Sequence, residues 1–322
     1  MEINNLVAIT NDGEGVLGKI LYYSLSSVLI DRDRLIEICE EIAFPYSANH
    51  RVALADAFRS ATGDIYDSKT VEGYYGTETF KIYCRDNKSP KGTISRELVK
   101  ETLDTNTNEY KKLANITFSK DLGISYGDLV YDEHVDPHDY CREAVKLYEL
   151  YQTSVGRKQI ETLLESYIAS LNAVKLLAHG KMYFIPREHM NRIDEFEALI
   201  EVLEVANLHQ NARRYPLDAN SMYVVDDAKQ REKMAAAFYS SVRREIAEYS
   251  ERANHFIQSD SQSSVILERW AMKIHALKAK KHEYEDVLRR ELNDLDDELN
   301  SLGYLADELS IRARGIHMRK AA

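Results

Sequence analysis

The feature that most constrains this chain is a long absence. From Leu217 to Leu302, 86 residues pass without one glycine or proline. These two residues are the main turn makers and helix breakers, so such a stretch reads as helix over most of its length. Eleven of the 13 glycines lie at or before Gly180, which makes the first part turn-rich by contrast. The expected fold class is α+β: an N-terminal antiparallel-sheet domain with helices, then a long, mainly α-helical region containing a coiled-coil-like helical hairpin. The expected boundaries are 1–135 for the α+β domain, 136–226 for a helical middle region with short strands, and 227–322 for the long helical region.

In the last third, apolar residues recur at Met234, Phe238, Val242, Ile246, Tyr249, Ala253 and Phe256. After the polar Gln258–Ser264, a second series begins at Leu267 and continues through Trp270, Ile274, Leu277, Tyr284, Leu288, Leu292 and Leu295 to Leu309. Steps of three and four alternate as a helical seam requires. Lys281 fills one seam position, and the two steps of four from Tyr284 to Leu292 look like a stutter. The pattern predicts an antiparallel hairpin, or one long helix loosened in the middle.

Upstream, Leu6–Thr10 and Lys19–Ser26 flank a glycine-rich turn and read as a hairpin. Further strands are expected at Phe80–Arg85, Asn115–Lys120, Leu129–Asp132, Met182–Pro186 and Met222–Val225. Helices are expected at Arg32–Ile42, Arg51–Ala61 and Ile193–Val205. A short one is also expected around Ile94, Leu98, Val99 and Leu103, where period-2 alternation is missing. Asp136 is suited to cap a helix with Pro137 in its first turn. A following helix should run from Ile160 to Ala178, with Gly180 just past its end and His179 as a cation at its C-terminus.

Charge and targeting narrow the function classes. Forty-two Lys and Arg against 53 Asp and Glu give a net charge of -11, which excludes a generally basic surface for duplex DNA. The N-terminus has no basic, apolar leader, and no stretch approaches the ~20 apolar residues needed to span a bilayer. Cys39, Cys84 and Cys141 are scattered without a CxxC and read as reduced thiols. A cytoplasmic protein with no membrane contact is expected. Of the 21 tyrosines, Tyr140, Tyr148, Tyr151, Tyr167, Tyr239, Tyr249 and Tyr284 fall on or beside apolar helix stripes, where buried rings with bonded hydroxyls are the expected role.

Two strings carry candidate chemistry. Gly13, Gly15, Gly18 and Lys19 satisfy a phosphate-loop spacing after an apolar run, but Ile20 stands where a Mg²⁺-binding hydroxyl belongs, and a strand follows in place of a helix. The simpler role is a hairpin turn. Asp132, Glu133, His134 and His138, with Asp136 and Asp139 nearby, are residue types that hold a divalent metal. His134 and His138 straddle Pro137, however, and helix capping explains Asp136 and Asp139. Lys273, Lys278, Lys280 and Lys281 form a basic run between acidic stretches. Such segregation sets helix register more often than it binds phosphates, so nucleic acid is not the favoured partner.

Two short strings, Asp56–Thr62 and Gly180–Pro186 leading into a helix, together with the helical C-terminal part, resemble a group of uncharacterised phage and prokaryotic proteins. The resemblance covers most of the chain and implies a viral or mobile-element setting, with the host cytoplasm as its compartment. It carries no catalytic residues with it. The expectation from the sequence is therefore a non-enzymatic interaction protein without a cofactor. It would bind a macromolecular partner, a host-defence or assembly factor, and self-associate through its C-terminal helices. Trp270, Tyr284, Lys278, Lys280 and Lys281 are its candidate contact residues. The alternatives are a phosphate-loop nucleotide-binding enzyme using Gly13–Lys19 and a metal-dependent enzyme centred on Asp132–Asp139.

Overall fold

The computed structural model describes residues 15–46, 53–73, 76–103, 108–177, 179–209 and 216–321. The chain divides into two compact units. Unit 1 comprises Met1–Leu25, Thr162–Val202 and Pro216–Ala322, and unit 2 comprises Ser26–Glu161 and Leu203–Tyr215. The architecture is α+β, and every strand pairing is antiparallel among the described residues.

Unit 2 is built on a five-stranded meander of β3 (Tyr66–Gly73), β4 (Gly76–Asn87), β5 (Thr93–Leu103), β6 (Glu109–Ser119) and β7 (Gly123–Gly127). Helices α2 (Leu54–Gly63) and α3 (Pro137–Thr153) pack on one face, burying Phe58, Ala61, Phe80, Ile82, Leu98, Ile116, Cys141 and Tyr148. A short pair, β2 (Leu29–Asp31) with β8 (Ser154–Gly156), and α1 (Arg32–Glu41) complete it. Asp31 caps α1 through the Asp33 and Arg34 N–H groups, and Asp136 caps α3 through the His138 N–H.

The strand β5 replaces the short helix expected around Ile94–Leu103. Its register pairs Ile82 with Lys100 and Asp86 with Arg96, so charged residues occupy positions on the core face of the sheet. Arg96 donates to Asp86 and to the Thr62 hydroxyl, and Lys100 lies 3.0 Å from Glu78 and 3.4 Å from Asp132. With polar residues inward and buried Val99 on the opposite face, the alternation of a half-buried strand is hidden from hydropathy. The strand expected at Leu129–Asp132 is also absent. The last strand of the sheet is β7, ended by Asp128 at φ 52, and Leu129, Val130 and Tyr131 are exposed at 38%, 41% and 82%.

Unit 1 has a four-stranded sheet in the order β11–β1–β10–β9, where β1 is Val16–Ser24, β9 Val174–Lys175, β10 Met182–Pro186 and β11 Asp218–Val225. The upstream arm of the expected hairpin, Leu6–Thr10, lies outside the described residues. Helix α4 (Arg157–Ser170) stops well before Gly180, because Asn172 turns the chain at φ 51 and Val174 begins β9. His179 accordingly ends no helix. Helix α5 is Ile193–Ala206.

The last third is three helices, α6 (Ala228–Gln258), α7 (Ser264–Leu288) and α8 (Asp296–Ala321), where the spacing suggested two or one. Contacts fix their directions. Lys280 meets Glu245, and Trp270 meets Phe256, so α6 and α7 are antiparallel. Lys281 meets Asp296 and Glu268 meets His317, so α7 and α8 are antiparallel as well. Helices α6 and α8 run parallel, with Arg243 at Glu298 and Arg312 at the Ile257 carbonyl. The unforeseen break is the apparent stutter. Arg289 adopts φ 51 without a glycine, the Arg290 N–H bonds the Glu285 carbonyl, and the Leu292 N–H bonds the Glu285 carboxylate. Leu288, Leu292 and Leu295 keep their burial through this turn, so the apolar spacing continues while the helix does not.

Candidate functional site

Of the phosphate-loop residues, Gly18 and Lys19 lie within the strand β1, which has a paired neighbour on each side. Gly13 lies outside the described residues. Gly15, at φ 86, opens the turn into that strand. A Cβ on Gly18 would stand 2.0 Å from the Ile185 carbonyl oxygen, so glycine is required by the close approach of β10. Lys19 lies 3.7 Å from Asp194 and 5.0 Å from the Tyr223 ring centre. No helix N-terminus follows to receive a phosphate.

The acidic string is likewise dispersed. Asp132 is buried and held by Lys111 at 2.8 Å, by Lys100 and by the His134 N–H. Burial raises its carboxyl pKa, but these donors outweigh burial and hold it below the usual carboxylate range. His134 stacks on Phe80 and His138 stands edge-on to Tyr126. Glu133 is exposed. Among the described residues, no three His, Cys, Asp or Glu side chains come together as a metal site.

The candidate contact residues divide in the same way. Tyr284 is wholly buried against Phe184 and Phe238 and donates its hydroxyl to the Asn172 carbonyl at 2.9 Å, so it cannot touch a partner. Lys280 and Lys281 are buried and paired with Glu245 and with Asp296 and Glu285. Lys278 reaches Asn300 across α7 and α8. Trp270 is partly exposed between Tyr249, Phe256 and Lys273.

Sequence reasoning missed three features. In unit 2, Asp64 Oδ2 accepts from the Tyr151 hydroxyl at 2.5 Å and lies 3.1 Å from His209 Nε2. Burial and the Asp64 charge push the Tyr151 hydroxyl far up, away from acid–base work near neutrality. With Leu208 N–H bonding the Leu29 carbonyl and Asn207 bonding Ser27 and Leu29, this cluster ties 207–209 to the β2 region.

In unit 1, helices α4, α6 and α7 and strands β9 and β10 line an open cavity of about 620 Å³. Ile168 and Leu277 give it an apolar floor, and Lys175, Arg244 and Lys273 bring cations to it. The third feature is on α8. Tyr304, Ile311 and Met318 are exposed at 75%, 65% and 71% and follow one another at seven-residue steps. Asp307 and Arg314 flank that stripe, both exposed.

The model of a family of unknown function, DUF6744, matches residues 16–315. The chain belongs to this family. No curated protein and no solved structure matches it. The DUF6744 match takes in every residue named at the cavity of unit 1, and on α8 it includes Tyr304 and Ile311. No helix among the described residues is long and apolar enough to cross a membrane.

Proposed function

We propose that this protein acts by binding and not by catalysis, joining a protein partner and pairing with a second copy through the outward face of α8. The observation that carries this reading is the stripe of Tyr304, Ile311 and Met318. Single exposed apolar residues are ordinary, but a line of three at heptad spacing on an otherwise polar helix face has the form of an unfilled seam. A second copy suits it by charge. Antiparallel pairing about Ile311 sets Tyr304 against Met318 and brings Asp307 of each copy beside Arg314 of the other. Gly315 adjoins the stripe, and nothing lies within 4 Å of where its Cβ would stand, so the backbones can approach closely there. The interface is isologous, as closed dimers require. Each side chain contributes roughly 1.5–3 kcal/mol on burial, against an association cost of about 4–15 kcal/mol, which favours a reversible dimer.

The residues with chemical potential support binding over catalysis, because they are spent on the fold. Asp132, Lys280 and Lys281 are buried and ion-paired, and burial pushes the thiols of Cys39, Cys84 and Cys141 up to about 11, 12 and 11. Three cysteines without disulfides accord with a reducing, cytoplasmic setting.

Light scattering over a concentration series tests the pairing. Mass should rise toward a dimer, Ile311→Asp should stay monomeric with an unchanged helical spectrum, and Asp307→Arg or Arg314→Asp should each weaken association. The double swap Asp307→Arg with Arg314→Asp should restore it. A monomer at every concentration, or a double swap no better than either single variant, overturns the reading.

A further inference from the structure

We propose that the cavity of unit 1 binds a small organic anion, a carboxylate or phosphate ester carried on an apolar body. The inference does not depend on pairing through α8.

Three of the seven charged residues lining the cavity, Glu165, Glu245 and Lys280, are already paired. Glu165 lies 2.6 Å from Lys181, and Glu245 lies 3.1 Å from Lys280 and also accepts from the Ser241 hydroxyl. What remains is asymmetric. Lys175 from β9, Arg244 from α6 and Lys273 from α7 have no carboxylate partner among the described residues, whereas Glu248 is the one lining acid in that position. Arg244 donates Nε to the Ser240 carbonyl of its own helix, which leaves its terminal nitrogens for another acceptor. The Lys273 ammonium lies 4.8 Å from the Trp270 ring centre, an attraction that leaves all three of its N–H donors for an anion.

Three cations from three separate elements around one concavity is not the arrangement of a solvated helix face, where like charges line a single element. Below them the surface turns apolar, with Ile168, Leu277 and the Tyr249 ring. Burial raises the Tyr249 hydroxyl to about 12, so this ring stays neutral and lends no negative charge to the site. The volume is within the range of small-molecule sites, about 300–1,000 Å³. An apolar floor with a cationic rim selects a ligand with the opposite polarity at its two ends. A free inorganic ion would leave the floor empty, and a neutral apolar ligand would leave the cations unmatched.

The test uses two fluorescent probes that share an aryl body and differ in charge: 8-anilinonaphthalene-1-sulfonate, an anion, and N-phenyl-1-naphthylamine, which is neutral. The full chain should bind the anion saturably at one site, about tenfold more tightly than the neutral probe. Arg244→Gln with Lys273→Gln, both at exposed positions, should abolish that preference, with near-ultraviolet circular dichroism showing an intact fold. Lys229→Gln with Lys233→Gln, exposed on α6 but outside the cavity, should leave it unchanged. Octanoate and adenosine monophosphate then serve as competitors. Displacement by octanoate alone assigns a carboxylate ligand, by the nucleotide alone a phosphate ester, and by both an unselective anion site. Equal binding of the two probes, anion binding that survives the Arg244 and Lys273 changes, or displacement by neither competitor up to about 10 mM overturns the proposal.

Discussion

The Lys281 ammonium and the Asp296 carboxylate stand 2.5 Å apart across the turn that joins α7 to α8. Glu285 lies 3.1 Å from the same ammonium and uses its carboxylate also to hold the Leu292 N–H. One buried lysine thus fastens both sides of a turn that has no glycine to ease it. Burial lowers the Lys281 pKa, but the two carboxylates outweigh it and raise the group above its ordinary value. Lys281→Ala should therefore cost about 1–3 kcal/mol in urea unfolding, since it strips the pair and leaves a void. An unchanged midpoint would show that the turn holds without it.

Stability should fall on acidification in a definite window. Asp132, Asp226 and Glu285 are all held below their ordinary values, so each is ionised more readily folded than unfolded. The stability they contribute is complete above the unfolded carboxylate range of about 4 and is lost as pH falls through their lower folded values. Melting temperatures from pH 7 to 3 should stay level and then drop below about pH 4. Asp132→Asn should lower the plateau and flatten the drop. An equally steep drop in that variant would assign the acid sensitivity elsewhere.

Gly18→Ala should destabilise by about 1–3 kcal/mol or more, because the added methyl meets a carbonyl and not a flexible side chain. If the glycine served a nucleotide instead, the variant would fold normally and lose a nucleotide-dependent rise in melting temperature that the wild type shows. Thermal melts of both proteins with and without nucleotide and Mg²⁺ separate the two roles.

Tyr284→Phe keeps the ring between Phe184 and Phe238 and removes only the hydroxyl that bonds Asn172. The expected loss is about 0.5–1.5 kcal/mol, whereas Tyr284→Ala should cost about 3–5 kcal/mol. Equal losses would mean that the hydroxyl and not the ring anchors this part of unit 1.

The thiols should be nearly silent in the native protein. With values pushed by burial to about 11 and 12, almost no thiolate is present at neutral pH. A disulfide reagent should label none of them quickly at pH 7.5, and all three once urea is added. Rapid labelling of one cysteine in the folded state would reveal an opening motion at that site.

How much of this was legible depends on where the information lies along the chain. Caps and apolar stripes are local, so α1, α3, α5 and the helical last third were readable from Asp136 and from apolar spacing such as Leu35, Ile38 and Cys39. The strand β5 was not, because the partners that permit Arg96 and Lys100 to face inward are Asp86, Glu78 and Asp132 on other segments. The turn at Arg289 was hidden for a related reason. A left-handed residue that is not glycine has no signature, and Leu288, Leu292 and Leu295 remain buried on both sides of it. The cavity of unit 1 was beyond reach altogether. Its cations come from positions 175, 244 and 273, and only the pairing of Glu245 with Lys280 and of Glu165 with Lys181 reveals which charges are left over.

The position of β1 has a consequence for synthesis on the ribosome. It is made long before either of its partners, Met182–Pro186 and Asp218–Val225. At ~5–20 residues per second, β1 waits roughly 8–30 s for its first neighbour. Through that interval an apolar strand with two open edges must be kept from pairing elsewhere, while most of unit 2 emerges and closes behind it. Expression yield should therefore respond to chaperones that shield nascent chains.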